Sequence, residues 1–217
     1  MTLPVPDRLV HPIEARSYRI LRSRADTSAL PYWSRAVAER VVHASADLGY
    51  LADLVLSEPV LEAAADALAA GAPLVADAAM VAAGITARPS LVLVADDRAR
   101  ALAARLGTTR SAAAMHLAAE EAGPGAVWVV GNAPTALEAV VDLADRVAPR
   151  LVVGLPVGFV GAAESKARLR ASGLPAVSNV SEKGGSAVAA AAVNALLYGD
   201  PLAAVPPPGV TAEGENT

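Results

Sequence analysis

From residue 73 onward, short apolar segments that are continuous rather than alternating are separated by segments of helical character. The apolar segments cover residues 73–76, 90–94, 126–130, 150–154 and 175–178. Strands that are apolar at every position are buried on both faces, as in a parallel sheet covered by helices. The sequence therefore predicts an α/β fold, namely a three-layer α/β/α domain whose mostly parallel sheet has about five strands.

Helices are expected before this sheet. Pro12 and Pro31 suit the first turns of two helices, where proline's missing N–H is not needed, and a third helix is predicted between Ser57 and Gly71. The second helix should bury a stripe at three- and four-residue steps, formed by Val37, Val41, Ala44 and Leu48. We expect one domain over residues 1–200 and a proline-rich, partly disordered tail over residues 201–217.

Composition excludes several classes of protein. The chain has no cysteine, which excludes disulfides and cysteine-based zinc sites. No apolar segment reaches about 18 residues, the length that a membrane-spanning helix needs, and the N-terminal segment lacks the apolar stretch of a signal peptide. The net charge of −4 argues against general nucleic-acid binding. We therefore expect a cytoplasmic protein that binds neither membranes nor nucleic acids.

Charge is uneven along the chain. Residues 1–40 hold seven arginines (Arg8, Arg16, Arg19, Arg22, Arg24, Arg35 and Arg40) against four acidic residues. A local basic surface on an acidic protein suggests a defined anionic ligand, although an ordinary solvated helix face is the simpler explanation.

Three loops before predicted helices could bind an anion through backbone N–H groups. The turn at residues 131–135 either does so or is a plain turn with Asn132 as the helix cap. The loop at residues 182–186 either presents Lys183 and the amides after it, or is a tight turn capped by Ser186. The third helix start carries Arg110, which is unfavourable beside the positive end of the helix dipole and so hints at an anionic partner; Thr109 or Ser111 could cap it.

His43 is the histidine with the most informative surroundings. It lies on the second predicted helix, and Asp47, four residues later, could orient its ring or change its basicity. Taken alone, a histidine beside an apolar stripe is more often a packed residue than a catalyst. Neither an HExxH zinc motif nor a G-x-S-x-G elbow is present. An enzyme of this kind would need little beyond a positioned proton donor and a shaped pocket.

Several motifs, in order along residues 11–197, resemble those of the precorrin-8X methylmutase family. The most specific is Gly154-Leu155-Pro156-Val157-Gly158-Phe159-Val160-Gly161-Ala162-Ala163-Glu164-Ser165-Lys166. The others are His11-Pro12-Ile13-Glu14 with Arg16-Ser17, Val41-Val42-His43, Asp77 with Met80-Val81, Gly84-Ile85-Thr86, Thr109-Arg110-Ser111, Gly131 to Leu137, Lys183-Gly184-Gly185-Ser186, and Asn194-Ala195-Leu196.

The resemblance implies an isomerase of cobalamin biosynthesis. It implies a [1,5]-sigmatropic methyl shift from C11 to C12 of precorrin-8X, which yields hydrogenobyrinic acid. Family members that act on cobalt-precorrin-8 and yield cobyrinic acid share the motifs, so the sequence leaves the cobalt content of the substrate open. The resemblance further implies a homodimer with an α/β/α fold and no organic cofactor, and we expect no metal site.

The resemblance also assigns site residues. His43 corresponds to the histidine that acts on the macrocycle, as proton donor or hydrogen-bonding catalyst. The substrate carries many carboxylates, which arginines and backbone amides bind well. Substrate-binding residues are expected to be Arg16, Ser17, Thr86 and Arg110, with Lys183, Gly184 and Gly185 as weaker candidates. Glu182 departs from the family pattern, in which a basic residue is frequent, and an acid there would repel a carboxylate unless it turned outward.

Two alternatives stay open at this stage. The first is a non-catalytic corrinoid-binding or carrier protein that has kept the pocket. The second is a nucleotide-binding regulator that uses residues 131–135. The presence of both His43 and Arg110 favours the enzyme.

Overall fold

The computed structural model describes residues 10–203. It confirms the predicted α/β architecture, with a five-stranded sheet between two layers of helices. The strands lie in the order β1-β5-β4-β3-β2; β2 to β5 are mutually parallel and β1 is antiparallel to β5. Their bounds are β1 (Leu54–Val55), β2 (Leu74–Ala76), β3 (Val127–Val130), β4 (Leu151–Gly154) and β5 (Ala176–Asn179).

The helices divide between the two faces of the sheet. In chain order they are α1 (Pro12–Arg24), α2 (Tyr32–Ser45), α3 (Tyr50–Asp53), α4 (Glu58–Ala69), α5 (Ala79–Gly84), α6 (Asp97–Leu106), α7 (Arg110–Ala122), α8 (Pro134–Asp142), α9 (Ala144–Val147), α10 (Ala162–Ala171) and α11 (Ser186–Tyr198). Helices α1 to α5 pack with α11 on one face, and α6 to α10 pack on the other. No helix within residues 10–203 has the length and apolar character needed to cross a membrane.

The strands are apolar throughout because both of their faces are covered. In β3, Val127 and Val129 belong to the core under α11, whereas Trp128 and Val130 belong to the core under α7 and α8. All four side chains are fully buried. Burying a side chain of this size stabilises the fold by about 1.5–3 kcal/mol relative to exposure.

One predicted strand is wrong, and one strand was missed. In the segment 90–94, only Leu91 lies alongside the sheet, in an isolated parallel bridge to Val75. The chain then turns at Asp96, whose side chain accepts a hydrogen bond from the N–H of Arg98 and caps α6. The fifth strand is instead β1, a two-residue antiparallel edge strand too short to leave a pattern in the sequence.

Helix α2 ends earlier than its predicted apolar stripe. It stops at Ser45, and Ala46 adopts a left-handed conformation with φ 54°. Val37 and Val41 are buried as predicted, but Ala44 and Leu48 are exposed. The second half of the predicted stripe is therefore wrong.

Helix α11 lies unusually close to its neighbours, and two glycines make this possible. A Cβ on Gly84 would lie 2.6 Å from the Cβ of Ala190, and a Cβ on Gly131 would lie 2.7 Å from that of Ala189. The helix starts at Ser186 after Gly185, with no side-chain cap, so the predicted Ser186 cap is wrong. Thr109 does cap α7, as predicted, by accepting a hydrogen bond from the N–H of Ala112.

Asp77 organises the turn that leads from β3 into α8. Its carboxylate, 1% exposed, accepts hydrogen bonds from the N–H groups of Gly131 at 3.1 Å, Asn132 at 2.9 Å and Ala133 at 2.8 Å. Burial raises the pKa of Asp77, and these three hydrogen bonds oppose that rise. The predicted Asn132 cap is wrong, because the N-cap residue of α8 is Ala133 and no side chain caps this helix.

We predict that Asp77→Ala lowers the free energy of unfolding by about 2–4 kcal/mol, because the N–H groups of Gly131, Asn132 and Ala133 lose their acceptor. Asp97→Ala is a matched control, since Asp97 also begins a helix but its side chain is 92% exposed. Urea unfolding followed by circular dichroism measures both variants. A loss for Asp77→Ala no larger than that of the control would contradict this role.

Candidate active site

A cleft of about 640 Å³ opens on the face of the sheet covered by α1, α2 and α11. Its volume lies within the range of roughly 300–1,000 Å³ that is common for ligand pockets. Helix α1 contributes Glu14 and Ser17, and α2 contributes Arg40 and His43. The remaining walls come from α11 and from the chain around the end of α5.

His43 is held by two neighbours from α1. The Oγ of Ser17 lies 2.9 Å from Nδ1 of His43 in hydrogen-bond contact. The ring of Tyr18 stacks on the imidazole, with centroids 4.8 Å apart and an interplanar angle of 19°. Contacts through Nδ1 and the ring face leave Nε2 as the nitrogen available to a ligand.

The charged groups of the cleft are Arg40 and Glu14. Arg40 is 7% exposed, and its Nη1 lies 3.7 Å from Oε1 of Glu14. The guanidinium also lies over the ring of Tyr198, 5.9 Å from the centroid. Burial lowers the pKa of His43, Glu14 raises it through its negative charge, and Arg40 lowers it through its positive charge.

Helix α11 provides a flat wall of small side chains. Ala187, Ala190, Ala191 and Asn194 line the cleft at the spacing of one helix face. From Ala187 to Tyr198 this wall runs roughly 16 Å, at about 1.5 Å per residue. Side chains of this size leave room for a broad planar ligand to lie against the helix.

Thr86 sits at the end of this wall. Its Oγ1 lies 3.0 Å from the OH of Tyr198, and its N–H donates to Oδ1 of Asn194 at 3.4 Å. The Nδ2 of Asn194 in turn donates to the backbone oxygen of Gly84 at 2.7 Å. This network ties the segment after α5 to α11.

Three of the predicted site residues line the cleft together, namely Ser17, His43 and Thr86. Arg16 is exposed on α1 and is not among the residues that line it. Arg110 is the exposed first residue of α7, in the helix layer on the opposite face of the sheet. The roles of these residues in binding stay predictions.

The loop before α11 has internal contacts that the sequence did not indicate. The Nζ of Lys183 lies 2.7 Å from Oδ2 of Asp47, and the N–H of Gly185 donates to the oxygen of Leu155 at 2.9 Å. A Cβ on Gly184 would meet that same oxygen at 2.3 Å, so this position needs glycine. The side chain of Glu182 is exposed. Lys183, Gly184 and Gly185 stay weaker candidates for binding.

Lys166, the last residue of the long motif, holds this loop in place through hydrogen bonds. It is fully buried, and its Nζ donates to Oδ1 of Asn179 at 2.9 Å, to the oxygen of Ser181 at 2.5 Å and to that of Lys183 at 2.6 Å. Burial lowers its pKa to about 8. The long motif thus includes a residue that organises a loop.

The expectation that Asp47 orients His43 is wrong. Because α2 ends at Ser45, Asp47 no longer follows the helix face on which His43 lies. Its carboxylate accepts from the N–H of Gly49 at 2.8 Å and from Lys183 instead. Ser17, which the resemblance assigned to the substrate, is the residue that holds the ring.

Sequence analysis missed Arg40 and Glu14 as parts of the site. The spacing in the sequence could have indicated both residues. Arg40 lies three residues before His43, and Glu14 lies three residues before Ser17, so each is one helical turn from a predicted site residue. The sequence could not show that α1 and α2 bring these two turns face to face.

The alternative of a nucleotide site at residues 131–135 loses its physical basis. The N–H groups of Gly131, Asn132 and Ala133, which would bind a phosphate, already donate to Asp77. Across residues 10–203, histidine, aspartate and glutamate side chains form no group of three or more that could hold a metal ion.

Comparison with known proteins gives one consistent family. The family model described as CbiC, precorrin-8X methylmutase, matches residues 12–199. A precorrin-8X methylmutase of Pseudomonas aeruginosa is 42% identical over 194 residues, which cover 85% of this chain and 93% of the relative. A cobalt-precorrin-8 methylmutase of Salmonella typhimurium is 40% identical over 198 residues, which cover 86% of this chain and 93% of the relative.

A solved structure agrees with these relatives. The precorrin-8X methylmutase of Thermus thermophilus superposes with a TM-score of 0.77 at 34% identity, covering 86% of this chain and 96% of the other. Sequence and fold therefore point to the same family over nearly all of the described residues.

We predict that His43 titrates below the ordinary histidine value of about 6.5, chiefly because of its burial. The unliganded ring is then neutral at pH 7. Because folding disfavours its charged form, the stability that His43 contributes is complete above pH 6.5 and is lost as the pH falls through its pKa in the folded protein. An NMR titration of the imidazole, assigned by the signal missing from His43→Asn, checks this. A midpoint at or above 6.5 would be the contrary result.

Proposed function

The chain belongs to the precorrin-8X methylmutase family, and we propose that it moves the methyl group of its substrate from C11 to C12 with His43 as proton donor. It is an isomerase of cobalamin biosynthesis. The contact between Ser17 and His43 inside the cleft carries the assignment of the proton donor. The product is hydrogenobyrinic acid, or cobyrinic acid from the cobalt-containing substrate.

The hydrogen bond between Ser17 and His43 determines the roles of the two protons on the imidazole ring. In the protonated ring, Nδ1–H donates to Oγ of Ser17 and Nε2–H points to the ligand. Nε2 gives its proton to a ring nitrogen of the macrocycle, which weakens the bond between C11 and its methyl group. The methyl group then bonds to C12, and the proton returns to Nε2. Because the methyl group stays within one molecule, the step needs no methyl donor.

Binding of the substrate favours the protonated form of His43 that this step requires. It carries many carboxylates, and negative charges near His43 favour the protonated ring. The ring is therefore neutral in the free protein and gains its proton when the substrate binds. Holding the macrocycle against the alanine wall of α11 places its reacting carbons beside His43 in a fixed geometry, which lowers the entropic part of the barrier.

Carboxylate recognition is proposed to rest on Arg40 at the base of the cleft, together with Ser17 and Thr86 as hydrogen-bonding groups. The exposed Arg16 lies on the same helix as Ser17 and is proposed to reach a peripheral carboxylate. Lys183, Gly184 and Gly185 remain weaker candidates. The predicted cytoplasmic location also stays a prediction.

We further propose that the protein is a homodimer. The loop after β4 exposes Phe159 to 95% and Val160 to 88%, which is a large apolar surface for a single chain in water. Arg110 is close to this surface, since Thr109 contacts Thr135 at 2.7 Å and a Cβ on Gly161 would lie 3.5 Å from Pro134. A second copy on this surface would bring its Arg110 to a ligand outside its own chain.

We expect Phe159→Asp to convert the dimer into monomers, because the charge would be buried on association. Sedimentation velocity measures the change, and KM rises about tenfold because Arg110 leaves the substrate. Leu106→Asp is the matched control, as Leu106 is 52% exposed at the end of α6. A wild-type protein that sediments as a monomer would refute the dimer.

The reaction itself is tested by mixing the purified protein with precorrin-8X and recording the visible spectrum. The spectrum should change to that of the product, since the shift alters conjugation around the ring. Parallel assays with cobalt-precorrin-8 separate the two substrates named for the relatives. Stoichiometric binding of both compounds without any spectral change would instead establish a carrier protein.

We predict that His43→Ala lowers kcat by about 10²- to 10⁴-fold, the usual contribution of a positioned general acid. Substrate affinity and melting temperature should stay close to wild type, because the side chain lines the cleft and is not part of the apolar core. His116→Ala, in a separate cavity between α6 and α7, serves as the control and should keep full activity. Normal turnover in the His43 variant would refute its role.

A further inference from the structure

Two polar pairs cross from α1 to α2, one helical turn apart. Ser17 meets His43 at 2.9 Å, and one turn earlier Glu14 meets Arg40 at 3.7 Å. The spacing of three residues on both helices places the two pairs side by side in the cleft. The ion pair therefore lies one helical turn from the contact between Ser17 and His43 on both helices.

The ion pair is more enclosed than a surface salt bridge. The side chains of Arg40 and Glu14 are 9% and 15% exposed. Within residues 10–203, the Nε of Arg40 has no hydrogen-bond partner, and its Nη2 reaches the oxygen of Gly199 only at 3.5 Å. A buried cation whose hydrogen bonds are incomplete depends strongly on its counter-charge.

We propose that Glu14 is a positioning residue for the methyl shift, which neutralises Arg40 and thereby allows His43 to carry its proton in the cleft. This inference rests on the proposed function of His43. Without the carboxylate, the positive charge of Arg40 would face the imidazole uncompensated and would oppose a second positive charge there.

Other charged and titratable groups around His43 come from each neighbouring helix. His11, the N-cap residue before α1, lines the same cleft, and Tyr18 of α1 stacks on the ring. Arg24 borders a smaller depression of about 120 Å³ on the other side of His43. Tyr198 of α11 lines the cleft, and Asp47 beyond α2 is already paired with Lys183. Of these surrounding groups, Glu14 raises the pKa of His43 and Arg40 lowers it, while burial of the ring lowers it as well.

The test measures the titration of His43 in Glu14→Gln, which keeps the size of the side chain and removes its charge. The NMR midpoint of His43 should move to lower pH than in wild type. Arg40→Met should move it to higher pH, and the double variant should return it close to the wild-type value. A role in folding alone would not produce opposite shifts that cancel.

Turnover provides a second readout. In Glu14→Gln the limb of the kcat profile where His43 loses its proton should move to lower pH, so that kcat at pH 8 falls by about tenfold while kcat at pH 5.5 changes little. Loss by the same factor at every pH would overturn the proposal.

Glu120→Gln is the matched control. Glu120 also faces an arginine, Arg146 at 3.6 Å, but this pair lies in the opposite helix layer. A His43 midpoint in Glu14→Gln that moves no further than in this control overturns the proposal. Absence of turnover in the wild-type protein would instead refute the proposed function, and the NMR titration would still test the coupling of Glu14 to His43.

Discussion

The arrangement of α1, α2 and α11 depends on Arg22. Its guanidinium donates to Glu39 of α2 at 2.8 and 2.9 Å, and to Asp200, just beyond α11, at 2.8 and 2.9 Å. Glu39 is fully buried, so loss of Arg22 would leave an uncompensated charge in the core. Because Ser17, His43 and the alanine wall come from these three helices, the contacts of Arg22 help to hold the walls of the cleft together.

Charge inside the cleft is balanced rather than simply basic. The N-terminal arginines suggested either an open basic surface or a solvated helix face, but Arg22, Arg35 and Arg40 pair with acidic side chains within the fold. A ligand rich in carboxylates therefore meets one enclosed cation with its counter-ion beside a histidine. In the proposed reaction, the charges of the substrate would add to that of Glu14 and so link substrate binding to protonation of His43.

Local patterns predicted the parallel strands well, because burial on both faces leaves a continuous apolar segment in the sequence. The predictions from local patterns were wrong where a residue distant in the chain makes the contact that was expected of a nearby residue. Asp77 holds the turn before α8, where a cap by Asn132 was expected, and Ser17 holds His43 in place of Asp47. The edge strand β1 was missed because its two residues pair only through a contact with β5, more than a hundred residues later.

The sequence by itself determined the family, the α/β class and the parallel strands, since these depend on motifs and periodicities that lie within single segments. Tertiary structure alone decided that Glu14 and Arg40 share the cleft with His43, and that Arg110 lies in the opposite helix layer. The physical reason is that the side chains on one helix face form a binding site only when another helix packs against that face. The angle and depth of that packing are set by residues such as Arg22 and Gly84, which are remote in the chain from the groups they bring together.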